Sequence, residues 1–156
     1  MQLKIISRKY GEKIILIDDE DYNKIKNYKW GVSYNKKYDN FYVRSKFIDI
    51  HRLIMNCPSG MIVDHINHNG LDNRKENLRI CNNKQNRINS LKHKELTSKY
   101  KGVYFEKIKR KYRADIRIDK KLKFIGLFKN EIDAAEAYNQ AALKHFGQFA
   151  NLNIIN

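Results

Sequence analysis

The chain has 156 residues, enough for one domain or two small ones, and carries 32 Lys and Arg residues against 17 Asp and Glu, a net charge of +15. This charge predicts a polyanionic partner, either a nucleic acid or an anionic membrane surface. No apolar run approaches the roughly 18–20 residues of a membrane-spanning helix, which argues against the membrane.

The first 55 residues predict two hairpins and two short helices. The strands are β-prone runs that flank turn residues such as Tyr10-Gly11, and acidic residues followed by lysines favour the first helix. In chain order, the predicted elements are strands at 3–7 and 13–17, a helix from 18 to about 28, a hairpin with strands around 30–34 and 41–43, and a short helix at 51–55.

The middle of the chain predicts a strand, a long polar loop, a second strand and a helix. These elements lie at 61–63, 64–77, 78–81 and 82 to about 91. The polar, lysine-rich residues 92–99 follow, and they are the best candidate for a linker between two domains.

Four polar residues of this region predict a catalytic centre. Asp64 and His65 end the first strand, Asn77 lies where the loop returns, and Asn86 lies on the helix. The side-chain oxygens of Asp64 and Asn86 suit one hard divalent cation, Mg²⁺ or Mn²⁺. His65, with an ordinary pKa of about 6.5, can take a proton from water, and Asn77 can orient its ring by accepting from the distal N–H. The chemistry that these residues favour is phosphodiester hydrolysis.

This pattern resembles the HNH (ββα-metal) nuclease family, in particular its phage and intron-encoded homing endonucleases. The resemblance implies that His65 is the general base, that Asn77 orients it, and that Asp64 and Asn86 hold the metal. The third letter of the motif is Asn here, at position 86, rather than His, as in many members of this branch. The matching residues are His51-Arg52-Leu53-Ile54, Val63-Asp64-His65-Ile66-Asn67, Leu71-Asp72-Asn73-Arg74, Asn77-Leu78-Arg79 and Gln85-Asn86.

Other interpretations of this region stay open. The asparagines between 67 and 89 would also suit a solvated turn region without catalytic function. A zinc site would need Cys57, His65, His68 and Cys81, whose spacing fits no common finger, so no structural zinc is expected. Arg74 is a candidate phosphate contact.

The last third of the chain predicts a three-stranded sheet and one helix. The strands are expected at 101–106, 111–118 and 122–127, with basic turns at 107–110 and 119–121, and the helix at about 131–146. On the middle strand, Arg113 and Arg117 alternate with apolar residues, so one face is basic and the other is covered by the helix. Such a face can read base edges with Arg and grip phosphates. Arg110 and Lys121 lie in the basic turns and join the candidate DNA contacts.

Residues 98–153 resemble the APETALA-two/ethylene-response-factor DNA-binding domain of plants. The resemblance implies that Lys101, Tyr104, Asp115, Arg117 and Phe124 face DNA. Arginines are usual at positions 101 and 104, so the base preference does not transfer. The segments that carry the resemblance are Ser98-Lys99-Tyr100-Lys101-Gly102-Val103, Tyr112-Arg113-Ala114-Asp115-Ile116-Arg117, Ile125-Gly126-Leu127-Phe128, Ala134-Ala135-Glu136-Ala137-Tyr138 and Phe149-Ala150-Asn151-Leu152-Asn153.

Together, these features predict an α+β protein of two domains, an HNH endonuclease domain at 1–92 and a DNA-binding domain at 98–153 with a three-stranded antiparallel sheet packed on one helix. We expect a monomer that cuts double-stranded DNA at a chosen sequence, acting on no small-molecule substrate and no membrane. The absence of a CxxC pair and of a signal-peptide core predicts a cytoplasmic, intracellular location. A non-catalytic DNA-binding regulator and an RNA-binding protein are the alternatives.

Overall fold

The protein is described by a computed structural model over residues 1–90 and 97–155. The chain divides into two compact units, Met1–Lys84 and Gln85–Asn156. The division falls inside a short helix, upstream of the predicted boundary at 92. Of the predicted linker at 92–99, only residues 97–99 lie within the described ranges.

The first unit is built from antiparallel strand pairs and short helices. The strands of this unit form three separate antiparallel pairs, each between two strands that are consecutive along the chain, and this confirms both predicted N-terminal hairpins. The elements are β1 (Gln2–Ser7), β2 (Gly11–Leu16), α1 (Tyr22–Ile25), β3 (Gly31–Asn35), β4 (Asn40–Arg44), α2 (Ile50–Ile54), β5 (Ile62–His65) and β6 (Leu78–Cys81), followed by α3 (Asn83–Ile88), which crosses the division.

The first helix is shorter than the predicted span of 18–28. A 3-10 turn at Asp19–Asp21 precedes α1, which ends at Ile25. The indole Nε1 of Trp30 donates to the Ile25 carbonyl oxygen at 2.9 Å and so takes an acceptor that a longer helix would use. Burial of Trp30 against the core therefore ends the helix.

The core of the first unit draws on both hairpins, both short helices and the β5–β6 pair. Because apolar side chains alternate along the strands, each strand contributes only one face to it. Its buried members are Ile15, Ile17, Ile25, Val43, Ile50, Ile54, Val63 and Leu78. The start of β5 is thereby anchored, and its last two residues, Asp64 and His65, lie at the edge of this core.

The second unit contains the predicted three-stranded sheet and one long helix. The sheet has the order β7 (Val103–Glu106), β8 (Lys111–Ile118) and β9 (Lys121–Phe128), all antiparallel, followed by α4 (Glu131–Phe146). The Asn130 side chain caps α4 by accepting from the Asp133 amide. Three alanines of α4 allow the helix to lie close to the sheet. The buried residues at this contact are Tyr100, Val103, Ala114, Ile116, Ala134, Ala135, Tyr138 and Ala142.

Both units combine helices with antiparallel strands, which confirms the α+β class. Within the described residues, no helix has the length and apolar character needed to cross a membrane.

Candidate active site

Asp64 lies at the end of β5 and forms a buried ion pair across the β5–β6 hairpin. The register places Asp64 opposite Arg79, so both side chains leave the same face of the hairpin. Asp64 Oδ2 accepts from Arg79 Nε at 3.0 Å and from Nη2 at 2.8 Å. Asp64 is only 8% exposed, so this pair fixes the carboxylate in one orientation.

His65, the next residue, is buried and held by an amide that the sequence interpretation gave no role. Its Nε2 lies 3.2 Å from Oδ1 of Asn73, a fully buried residue of the following loop. Asn73 Nδ2 donates to the Gly70 carbonyl oxygen, so its oxygen is the atom directed at the ring. An acceptor at this position places the imidazole proton on Nε2 and leaves the lone pair on Nδ1.

Asn77 braces the loop and does not make the expected contact with the ring. Its Oδ1 accepts from the Asn67 amide at 2.9 Å, and its Nδ2 donates to the Asp72 carbonyl oxygen at 2.8 Å. Its own carbonyl oxygen accepts from the Ile66 amide. The contact with the imidazole comes from Asn73 instead. The only sequence signal for this role was the position of Asn73 within the Leu71–Arg74 match.

Burial sets the protonation of the two histidines in this region. Desolvation lowers the pKa of His65, against the opposing effects of the Asn73 hydrogen bond and of the Asp64 and Asp72 charges. His51, on α2, packs edge to face against His65, with ring centroids 5.0 Å apart, and burial lowers its pKa to about 3. Both rings are therefore neutral near pH 7, the form in which an imidazole accepts a proton.

Arg74, a predicted phosphate contact, forms ion pairs within the loop. Its Nε and Nη2 donate to the two carboxylate oxygens of Asp72 at 2.8 Å each, and its Nη1 lies 2.7 Å from Glu76. The Arg74 hydrogen bonds lower the pKa of Asp72. The side chain still has 40% of its surface exposed, which leaves room for an external partner.

The loop reaches this shape only because Gly70 lies against β4. A Cβ at Gly70 would collide with the Phe41 carbonyl oxygen and lie 2.8 Å from Tyr42 Cδ1. We expect Gly70→Ala to lower the free energy of unfolding of the first unit by about 3 kcal/mol, because a backbone atom cannot move aside cheaply. Urea denaturation followed by fluorescence of Trp30, the single tryptophan, measures this unit.

The matched control is Gly31→Ala on β3, where a Cβ would meet only an ordinary contact at 3.8 Å. Equal urea midpoints for Gly70→Ala and Gly31→Ala would show that the close approach at Gly70 is not required.

Comparison with known proteins shows the family of this chain. Residues 56–88, which contain Asp64, His65, Asn77 and Asn86, match the HNH endonuclease family. An uncharacterized HNH endonuclease of Acanthamoeba polyphaga mimivirus is 34% identical over 139 residues, covering 85% of this chain and 70% of the relative. The chain belongs to the HNH endonuclease family. Its activity class is therefore that of a nuclease. No solved structure matches the chain.

HNH nucleases generally use a divalent metal ion, and the two predicted ligands of this HNH endonuclease lie in different units. Asp64 belongs to the first unit, whereas Asn86 is a half-buried residue of α3 in the second. Within residues 1–90 and 97–155, no group of three or more His, Cys, Asp or Glu side chains is arranged to hold a metal. Asp64 and Asn86 offer only oxygen donors, the kind that hard divalent cations prefer.

In the second unit of the HNH endonuclease, four predicted DNA contacts form one cluster on the sheet. The Tyr104 hydroxyl donates to Asp115 Oδ2 at 2.8 Å, and Arg113 Nε lies 3.1 Å from both oxygens of Asp115. The Arg113 guanidinium lies 4.9 Å above the ring centroid of Phe124, which is 56% exposed. We call Tyr104, Arg113, Asp115 and Phe124 the sheet cluster.

Asp115 has an internal role in this cluster that the sequence did not predict. It is 4% exposed and follows a β-bulge between Ala114 and Asp115. Its carboxylate orients Arg113 and Tyr104 and is itself covered by them. Three further predicted DNA contacts are exposed: Arg117 on β8, Lys121 at the start of β9, and Arg110 in the turn before β8.

The Lys101 side chain, which the resemblance predicts to face DNA, contacts backbone carbonyl oxygens of the second unit. Its ammonium donates to the carbonyl oxygens of Ile88 at 2.8 Å and of Ser90 at 2.6 Å. Burial lowers the pKa of Lys101 to about 8. The Lys101 ammonium is therefore hydrogen-bonded within the second unit. A lysine that binds phosphate would instead extend into solvent.

Proposed function

We propose that this chain is a sequence-specific DNA endonuclease that hydrolyses a phosphodiester bond with one divalent cation and His65 as general base. The observation that carries the proposal is the state of His65, whose ring is neutral by burial and whose Nε2 is held by Asn73. A neutral ring with one nitrogen fixed in this way has its other nitrogen, Nδ1, as the proton acceptor.

In the proposed mechanism, His65 Nδ1 takes the proton from the attacking water, and Asn73 stabilises the imidazolium through the N–H on the far side of the ring. Asn77 acts through the loop, because it binds the backbone at Asn67 and at Asp72, the residue before Asn73. Arg79 keeps the Asp64 carboxylate in one orientation, which reduces the entropy lost when a ligand binds to it.

Asp64 and Asn86 would hold the cation, and their donor set fits a hard ion. Neither donor is sulfur or imidazole, so the pair suits Mg²⁺ or Mn²⁺ better than zinc. When bound, such an ion supplies neutralisation of the charge that develops on the phosphate and on the leaving oxygen.

The second unit supplies DNA binding in this proposal, as a domain of the APETALA-two/ethylene-response-factor type spanning 98–153. Arg113 and Arg117 would read base edges in the major groove, and Arg110 and Lys121 would contact phosphates. The net charge of +15 supports a duplex DNA partner. Tethering keeps the nuclease domain, 1–92, at high effective concentration near the bound site, so that a monomer suffices.

The biological role that suits this pairing is that of a homing endonuclease of a phage or another mobile element, acting inside the host cell. The viral source of the relative supports this role.

The direct test is to incubate the protein with a library of duplex DNA in Mg²⁺, in Mn²⁺ or in EDTA, and to sequence the new ends. We expect ends at one recurring sequence in either metal and none in EDTA. DNA binding at a fixed site without any cleavage would indicate a non-catalytic regulator. Preference for single-stranded RNA over duplex DNA in competition would indicate an RNA-binding protein. Either result would reject the endonuclease.

A further inference from the structure

Two side chains of the second unit donate hydrogen bonds to backbone carbonyl groups at the carboxyl end of α3. Lys101 donates to the carbonyl oxygens of Ile88 and Ser90, and Asn151 Nδ2 donates to those of Asn89 at 3.2 Å and Ser90 at 3.0 Å. The last carbonyl groups of a helix have no partner within it, and a cation there also favours the helix dipole. We call Lys101 and Asn151 the α3 clamp.

The α3 clamp is connected to the sheet and to α4. Asn153 Oδ1 accepts from the Lys101 amide at 2.6 Å, and Asn153 Nδ2 donates to the Lys101 carbonyl oxygen at 3.1 Å. Asn139 of α4 forms a second reciprocal pair with the Asn153 backbone, at 2.7 and 2.9 Å. Lys101 lies two residues before β7, so the end of α3 is joined to the same framework that carries the sheet cluster.

A helix as short as α3 needs such support. It has six residues, fewer than an isolated helix requires for stability, so tertiary contacts must hold it. The Lys101 ammonium is half-buried at two backbone carbonyl oxygens, and its partial desolvation, which lowers its pKa to about 8, has an energetic cost that these hydrogen bonds offset. A lysine placed only for solubility or for phosphate binding would extend its ammonium into solvent.

We propose that Lys101 is a positioning residue that, together with Asn151, fixes α3 and its Asn86 to the DNA-binding sheet. The position of the cut relative to the bound sequence is then set by the α3 clamp and not by the length of the segment 91–96. This inference rests on the proposed function, since it assigns Asn86 to the nuclease centre.

The test inserts Gly-Ser-Gly-Ser between Lys94 and Glu95, in the wild-type chain and in the double variant Lys101→Met/Asn151→Ala. Sequencing the ends and footprinting the DNA give the distance between cut and binding site. We expect the wild-type chain with the insertion to cut at the same phosphodiester bond as without it. The double variant should cut at several neighbouring bonds, and the insertion should shift them further. An equal shift in both backgrounds would overturn the proposal.

Single variants separate the α3 clamp from a phosphate contact and from a general loss of stability. Lys101→Arg should keep the cut position, and Lys99→Met, which removes a lysine outside the α3 clamp, should change nothing. Lys101→Met should bind DNA with unchanged affinity. A loss of affinity, with the salt-dependence slope reduced by about one, would show that Lys101 contacts phosphate and would reject the α3 clamp.

A readout without cleavage keeps this proposal distinct from the proposed function. In the full chain without DNA, exchange of the Asn89 and Ser90 amides should be at least about tenfold faster in Lys101→Met, because this variant loses both hydrogen bonds from the Lys101 ammonium to the end of α3. Unchanged exchange would reject the α3 clamp even in an active enzyme. Failure of the wild-type chain to cut any duplex would reject the proposed function, and the exchange rates would still decide whether Lys101 holds α3.

Discussion

His65→Ala is expected to lower the rate of DNA cleavage by about 10²- to 10⁴-fold, the usual contribution of a general base. The reason is that His65 follows Asp64 directly, its ring is neutral, and its Nε2 is held by the buried Asn73 amide. Single-turnover cleavage of a duplex carrying the target site measures the rate directly, free of product release.

DNA affinity separates this effect from a binding defect. His65 belongs to the first unit, whereas the sheet that is proposed to bind DNA belongs to the second, so the dissociation constant should stay within a few fold of wild type. The matched control is His145→Ala, which removes an exposed histidine of α4 and should leave cleavage unchanged. Cleavage by His65→Ala at the wild-type rate would reject the assignment of the base.

The hairpins and the long helix were predictable because each depends on a local pattern. Turn residues between β-prone runs placed β1–β2 and β3–β4, and an apolar stripe at helical spacing placed α4 at its observed bounds. The first helix was predicted too long because its end is set by a residue outside the predicted span, through the hydrogen bond from the Trp30 side chain to the Ile25 carbonyl oxygen. No pattern in residues 18–28 reports that bond.

The choice between Asn73 and Asn77 was beyond sequence reasoning for a similar reason. Both residues carry the same amide, and both lie in the loop that follows His65. Which amide meets the ring depends on the path of that loop, and the close approach of Gly70 to Phe41 sets that path. The motif predicted the residues of the site as a group, but it did not distinguish the amide that contacts the ring, Asn73, from the amide that holds the loop, Asn77.

Lys101 and Asp115 show where periodicity stops being informative. Alternation gives the face of the sheet on which a side chain lies, but not the group that it meets there. Lys101 meets carbonyl groups more than ten residues upstream, and Asp115 lies beside a β-bulge under two partners. The resemblance to a DNA-binding domain predicts that both residues face DNA. That prediction uses only their positions along the chain and carries no information on the groups that their side chains contact.

Asp115→Asn is expected to weaken specific DNA binding by about 10- to 100-fold, equivalent to roughly one good bidentate base contact. Long-range electrostatics alone predicts the opposite sign, since the change raises the formal net charge of +15 by one. The loss arises because Arg113 Nε and the Tyr104 hydroxyl both depend on the Asp115 carboxylate for their orientation. Fluorescence anisotropy with a duplex target at fixed salt measures the affinity.

Glu136→Gln on α4 makes the same charge change at an exposed position away from the sheet and should leave affinity unchanged or slightly improved. Arg113→Met should weaken binding as much as Asp115→Asn. The double variant should be no weaker than either single variant, because Asp115 acts through Arg113. Tighter binding by Asp115→Asn would mean that the carboxylate only repels the duplex, and the sheet cluster would then not be the reading surface.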